Sequence, residues 1–229
     1  ALQGQSNLID ALRMANVKSR VHIACSAEEY GKVAEDELPV TEGHPLRPAS
    51  PYALSKVMQE YHAVFSYQAY GIEAVITRAF NMTGPGQSPE FVASDFARQV
   101  AEAEAGLREP VIRVGNLEAR RDFSDVRDLV GAYWELLRKG EPGEAYNVCS
   151  GEDHAISELL DILLSLSDVP IEVEVDPERY RVADIPVLRG DNARMRALTG
   201  WEPKRSLEQT LADVLAWWRA EVDRGGTAA

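Results

Sequence analysis

The chain has 229 residues, of which 45% are hydrophobic and 27% charged, an ordinary globular composition that excludes disordered, collagenous and low-complexity classes. At about 150 residues per domain it makes one large domain or two small ones. Its net charge of −13 argues against nucleic acid as the main partner, since phosphate backbones select for Lys and Arg, and no apolar run approaches the roughly 18 residues of a membrane span.

The first ten residues have neither the basic nor the apolar region of a signal peptide. Gln3–Val17 places Leu8, Leu12 and Ala15 at helical spacing. Arg20–Ser26 is a short apolar run ending in small residues, a buried strand. Gly31–Ser50 is a loop with Pro39, Pro45 and Pro48. Ser50-Pro51 reads as an N-cap with proline in the first turn, opening a helix from Tyr52 to about Tyr70 that Gly71 stops. Ile72–Arg78 is a second buried strand, Phe80–Glu90 a Gly/Pro loop, and Phe91–Gly106 an amphipathic helix. Val111–Val114 is a strand and Gly115–Arg121 a turn. Ser124–Lys139 is a helix, with Val126, Leu129, Val130, Tyr133, Leu136 and Leu137 on one stripe. Ala145–Cys149 is a strand, Ile156–Ser167 a helix and Ile171–Val175 an alternating strand. Asn192–Leu198 and Leu207–Val222 are terminal helices.

Helix and strand alternate almost throughout, which predicts an α/β fold with a largely parallel sheet and a site outside the carboxyl ends of its strands. Cys25 and Cys149 lie in apolar runs, so buried reduced thiols are expected, in keeping with a cytoplasmic location. His22, His44, His62 and His154 show no metal-ligand spacing, and His22 reads as a core or interface histidine. Glu35–Glu37 and Ala101–Ala105 read as solvated faces, and Trp217-Trp218 as packing. The excess of Arg over Lys, 19 to 5, is what compositional bias produces, although a few Arg placed locally suit a phosphate.

Three residues could carry chemistry together. Ser26 ends the first strand. Tyr52 opens the next helix, with Lys56 one turn along the same face. A phenol with a pKa near 10 is a poor acid–base group at neutral pH. A neighbouring ammonium lowers that pKa, and a hydroxyl such as Ser26 can hold the oxygen that gains or loses the proton. Tyr-x-x-x-Lys by itself is met on many helix faces. The strand-end Ser and the Ser-Pro helix start, in this order, lift it above chance.

Ser26-Ala-Glu-Glu-Tyr-Gly31, Ser50-Pro-Tyr-Ala-Leu-Ser-Lys56 and Arg78-Ala-Phe-Asn-Met-Thr-Gly-Pro-Gly-Gln87 resemble the extended short-chain dehydrogenase/reductases that act on nucleotide sugars. Val114-Gly-Asn-Leu-Glu-Ala-Arg-Arg-Asp-Phe123, Arg181-Val-Ala-Asp-Ile-Pro186 and Gly190-Asp-Asn resemble the branch shared by GDP-mannose 4,6-dehydratases and GDP-4-keto-6-deoxy-D-mannose reductases. Gly200–Pro203, Gly-Trp-Glu-Pro, is typical of the wider family, and the resemblance covers nearly the whole chain. Met-Thr-Gly-Pro-Gly-Gln after Asn81, and Asp122-Phe-Ser-Asp-Val-Arg-Asp, look more like the reductases. Glu28 lies where the dehydratases place a catalytic Glu, and reductases of the branch carry an acid there too.

The resemblance implies a Rossmann-type doubly wound sheet, with residues 1–80 and 122–150 on the NAD(P) side. Residues 81–121 and 151–229 would form a smaller α/β unit for the nucleotide sugar. It implies NADP or NAD as cofactor and reduction of the 4-keto group of a GDP-sugar to GDP-D-rhamnose or GDP-6-deoxy-D-talose. Tyr52 would protonate the alkoxide, Lys56 would hold the cofactor ribose, and Ser26 would bond the ketone oxygen. Glu28 would serve the elimination in a dehydratase. Phe80 and Met82 are expected near the nicotinamide, Asn81 near the sugar or its phosphate, and Arg121 and Arg181 at the pyrophosphate. A homodimer or homotetramer built on the helices at Gln3–Val17 and Tyr52–Tyr70 is also implied. No Gly-x-Gly-x-x-Gly loop occurs in the sequence. By the resemblance, the chain is expected to lack about 90–100 residues of a Rossmann domain. Two readings of other kinds stand beside the enzyme: an inactive fragment, and a silent binding protein on the same fold. The presence of Ser26, Tyr52 and Lys56 together argues against the second.

Overall fold

A computed structural model describes residues 2–179 and 185–226. In chain order the elements are α1 (Leu2–Met14), β1 (Val21–Ser26), α2 (Pro51–Tyr70), β2 (Ala74–Ala79), β3 (Asn81–Thr83), α3 (Val92–Glu104), β4 (Val111–Val114) and β5 (Arg120–Asp125). They continue with α4 (Val126–Lys139), β6 (Ala145–Val148), β7 (Asp153–Ala155), α5 (Ile156–Ser165), β8 (Glu172–Val175), β9 (Val187–Leu188), α6 (Ala193–Thr199) and α7 (Leu207–Gly226). None of the described helices is long and apolar enough to cross a membrane.

The helix ends follow the chemistry read from sequence. The Ser50 hydroxyl accepts the Ala53 N–H at 3.0 Å, Pro51 sits in the first turn, and Gly71 closes α2 at φ +69°. β1, β2 and β6 form a parallel sheet in that order. β2, its middle strand, is buried along its whole length, as expected of a strand covered on both faces. Ala74 and Ile76 pack with Ile23, Cys25 and Ala63, on the face that α2 covers. Val75 and Ala79 pack with Leu129, Ala132 and Leu136 of α4, and α6 and Trp201 return to this same core. A second core joins α3, β4, α5 and α7 around Phe96, Ile112, Leu159 and Leu215. Trp218 packs against it and donates its indole N–H to Ser94 Oγ at 2.9 Å. Both cysteines are free and buried. His22 is half-buried and bonded to Thr77 Oγ1 at 2.8 Å, and burial pulls its pKa down to about 4.

Three departures from the sequence expectations have a clear physical reason. Residues 120–125 read as a turn running into a helix, yet they form β5, which pairs with β3, β7 and β9. Its charged residues concealed it because their partners are distant. Asp122 is completely buried and accepts from Ser150 N at 2.8 Å, Ser150 Oγ at 2.6 Å, Gly151 N at 3.0 Å and Gly190 N at 3.3 Å. Asp125 caps α4 by accepting the Arg127 N–H at 2.8 Å, so that helix begins at Val126. The loop expected at Phe80–Glu90 contains β3, too short to show a period. Ile171–Val175 alternates as a half-buried strand would, but among the described residues β8 pairs with β4 alone, and Val173 and Val175 are both exposed.

Candidate active site

Ser26, the last residue of β1, stands at the carboxyl end of the parallel sheet. Its Oγ accepts the Glu28 N–H at 3.2 Å while Glu29 Oε1 accepts the Ser26 N–H at 3.2 Å. This reciprocal cap fixes the 3-10 turn Ala27–Tyr30. Tyr52 lies in the first turn of α2, half exposed, within hydrogen-bonding influence of Ser26. Lys56 follows one turn later. Its Nζ donates to Ala24 O at 2.8 Å and lies 5.7 Å from the Tyr52 ring centroid. The three residues expected from sequence are thus brought together.

Their electrostatics depart from the expectation. The Tyr52 phenol sits above its ordinary value, not below it. Partial burial raises it first, and the charges of Glu28 and Glu29 add to this against a lowering bond with Ser26. Lys56 does not offset the rise, because its ammonium is anchored on the Ala24 carbonyl. A phenol held this way stays protonated at neutral pH, the state an acid must be in.

Beside this cluster opens a cavity of about 560 Å³, lined among others by Glu28, Asn81, Met82, Asn116, Arg121 and Arg179. Glu28, exposed, both lines the cavity and lies close enough to Tyr52 for its charge to act on the phenol. Arg121 Nη1 donates to the carbonyls of Arg120 at 2.8 Å and Pro186 at 3.4 Å. Arg120 itself is a structural residue: it pairs with Asp153 at 2.5 Å and Glu158 at 3.2 Å. Arg179 and Arg98, also lining the cavity, share the carboxylate of Asp95 at 2.7 and 2.8 Å. Arg179 went unnoticed in sequence, although it stands two residues before Arg181 in the same segment. Arg181 lies outside the described residues.

Phe80 and Met82 part company. Met82 is exposed at the cavity, whereas Phe80 is 4% exposed and packs in a core with Tyr30, Cys149 and Leu188. A Cβ at Gly190 would come within 2.5 Å of its ring. The Phe80 ring therefore lies beneath the site, and of the two residues expected at a nicotinamide only Met82 is on the open face.

A family model described as GDP-mannose 4,6 dehydratase matches residues 1–214. The chain is 38% identical over 221 residues to the GDP-6-deoxy-D-mannose reductase of Pseudomonas aeruginosa, covering 96% of this chain and 73% of that protein. It is 29% identical to the GDP-mannose 4,6 dehydratase of Dictyostelium discoideum, covering 93% of this chain and 65% of that one. The structure of RMD from Pseudomonas aeruginosa complexed with NADPH superposes with a TM-score of 0.92 at 36% identity, over 96% of this chain and 73% of that one. The UDP-glucose 4-epimerase of Thermus thermophilus, in complex with NAD, gives 0.82 at 29%, over 95% and 69%.

Proposed function

Since the chain belongs to the GDP-mannose 4,6 dehydratase family of extended short-chain dehydrogenase/reductases, we propose that it serves the NAD(P)H-dependent reduction of the 4-keto group of a GDP-4-keto-6-deoxy sugar. The product would be GDP-D-rhamnose or its C4 epimer GDP-6-deoxy-D-talose. The observation that carries this reading is the convergence of Ser26, Tyr52 and Lys56 beside a cavity walled by arginines. The reductase from Pseudomonas aeruginosa supports it.

The residues present fit the nicotinamide end of a dinucleotide. Half-exposed Tyr52 and exposed Met82 offer an open surface to a planar ring. An ammonium has three donors, and Ala24 O takes one of those on Lys56, leaving donors for ribose hydroxyls. A bound reduced nicotinamide supplies hydride. The protein's part is to hold the ketone oxygen with the Ser26 hydroxyl and to deliver the Tyr52 proton to that oxygen as negative charge develops. Lys56, anchored on Ala24 O, is assigned to the cofactor ribose rather than to the resulting phenolate. Arg121 and Arg179, which line the cavity, are assigned to the pyrophosphate through their planar forks, and Asn81 to the sugar. The described part of the segment that carries Arg181 reaches the same cavity through Arg179. In this assignment residues 1–80 and 122–150 hold the cofactor, and residues 81–121 and 151–229 hold the nucleotide sugar.

Glu28 favours a second reading, a dehydratase acting on GDP-mannose, since it is a carboxylate at the seam between acid and cavity. One assay separates the two. The purified protein with NADPH and GDP-4-keto-6-deoxymannose should consume both in equal amounts. With GDP-mannose and NADP+ in place of NADPH it should form no keto sugar. The opposite pattern establishes the dehydratase, and turnover in neither establishes a catalytically silent chain.

We also propose that a homo-oligomer forms through the α1–α2 face, where Leu8, Met58, Tyr61 and Phe65 are each about half exposed or more. Such clustered apolar surface is uncommon on a monomer. Phe65→Glu should convert a dimer or tetramer to monomer in sedimentation velocity, and an unchanged wild-type monomer would refute the interface.

A further inference from the structure

Beneath Ser26 lies a buried cluster that the reaction above does not use. Glu29 is wholly buried. Its Oε1 accepts the Ser26 N–H, while its Oε2 is buried with no hydrogen-bond partner. Glu60, on α2, faces it: an oxygen from each carboxyl and the Cys25 sulfur all lie within 4.8 Å of one another. Arg78, on β2, does not serve the two acids equally. Its Nε and Nη2 grip Glu60 at 2.9 and 2.6 Å, whereas it comes no closer than 3.8 Å to Glu29. One guanidinium therefore saturates one carboxylate and leaves the other only a long ion pair of 3.8 Å in a dry site, where two ionised acids side by side are strongly disfavoured.

We propose that Glu29 keeps its proton in the folded protein and donates it through Oε2 to the Glu60 carboxylate, so that the two acids share a single proton and together fix the backbone of Ser26. A carboxylate oxygen only accepts, yet Oε2 makes no hydrogen bond: Arg78 Nε stands 3.8 Å away and the neighbouring Cys25 thiol donates to Lys56 O at 3.5 Å. A carboxylic acid donates, and Glu60 is the acceptor beside it. The surroundings agree. Burial, then the charge of Glu60, pushes the Glu29 carboxyl up to about 8. The other groups facing the pair are the Cys25 thiol of β1, driven far up by burial, and Tyr30 of the same turn, pushed up to about 12. Lys56 and Tyr52 of α2 complete the set. Among the described residues Arg78 is the cation hydrogen-bonded within it, and a metal ion at this spot would have to compete with that guanidinium for Glu60.

The pair has a consequence for stability. An unfolded Glu titrates near its ordinary 4.5 and the folded one near 8, so between those values the folded chain binds more protons. The contribution is therefore complete below about 4.5, declines as pH rises, and is gone above about 8. Infrared spectra of the protein at pH 6.5 should show the carbonyl stretch of a protonated carboxylic acid that Glu29→Gln removes, and raising the pH past 8 should bleach it. The urea midpoint of wild type should fall relative to Glu29→Gln over the same interval, since the amide keeps both bonds and cannot ionise. No acid band, parallel pH profiles, or a stoichiometric divalent cation in the purified protein would each overturn the proposal.

The effect on catalysis rests on Ser26 being the reactive hydroxyl, and is read separately. Glu29→Ala should lower kcat more than it raises KM, and Glu29→Gln should recover it. Failure of that arm with the infrared band present removes the positioning role and leaves the shared proton. Absence of turnover in wild type speaks only against the proposed function.

Discussion

Tyr52→Phe should lower kcat for reduction of the keto sugar by about 10²–10⁴, with nucleotide-sugar affinity little changed. The reason is geometric. Tyr52 meets the Ser26 hydroxyl at the end of β1 and is not among the residues lining the cavity, so its hydroxyl can act on the reacting oxygen without serving as a grip for the nucleotide. The ring, which phenylalanine retains, continues to pack. Steady-state kinetics together with calorimetric titration of GDP would separate the two quantities. A large loss of GDP affinity, or a kcat within a factor of a few of wild type, would remove Tyr52 as the acid. Because burial holds the phenol above its ordinary value, the acid limb of the reductive pH profile should not belong to Tyr52.

Arg78→Met should cost about 3–5 kcal/mol of stability, the penalty for stripping a buried charge of its partner, out of the roughly 5–15 kcal/mol that natural domains possess. Arg78 is the hub of a sequence of bonds that spans the sheet. Besides gripping Glu60, it donates to Tyr30 Oη at 2.9 Å and to Glu42 O at 2.9 Å. Tyr30 donates onward to Asn147 Oδ1 at 2.6 Å, and Asn147 Nδ2 donates to Val40 O at 2.8 Å. The loop before α2, the turn after Ser26 and β6 are tied through one side chain. The urea midpoint measures the cost. Adding Glu60→Leu to Arg78→Met should return part of it, because an abandoned carboxylate is worse than none. A loss below about 1 kcal/mol would show that solvent reaches the cluster and the charges are screened.

What could be read in the sequence was whatever depends on neighbours along the chain. Ser50-Pro51 and Gly71 fix the ends of α2, and the four-residue step from Tyr52 to Lys56 fixes their common face. The strand-end position of Ser26 follows from an apolar run that stops. What could not be read depends on partners far away. β5 is polar because Asp122 is satisfied by Ser150, Gly151 and Gly190, none of which a local pattern reports. Phe80 and Met82 look equivalent in sequence, and only the packing of Tyr30, Cys149 and Leu188 decides which ring or chain goes under. The i, i+4 rule put the Lys56 ammonium near the Tyr52 phenol but could not foresee that the Ala24 carbonyl captures it. Glu29 passed as one more acid in Glu28-Glu29, although one of the pair faces the cavity and the other is sealed beneath Ser26.

The route of the chain between two of its cores constrains how such a protein can change. The first core takes its residues from β2, α4, β6, α6 and Trp201, and the second takes its own from α3, β4, Phe123, α5 and α7. Neither is a continuous stretch. The second core joins residues 93–123 to 156–163 and 211–215 with first-core residues lying between them in the chain, so exchanging any one of these segments alone would leave that core mismatched. Point substitutions around Asn81, Asn116 and Arg179, which line the cavity, can reshape it without dividing either core.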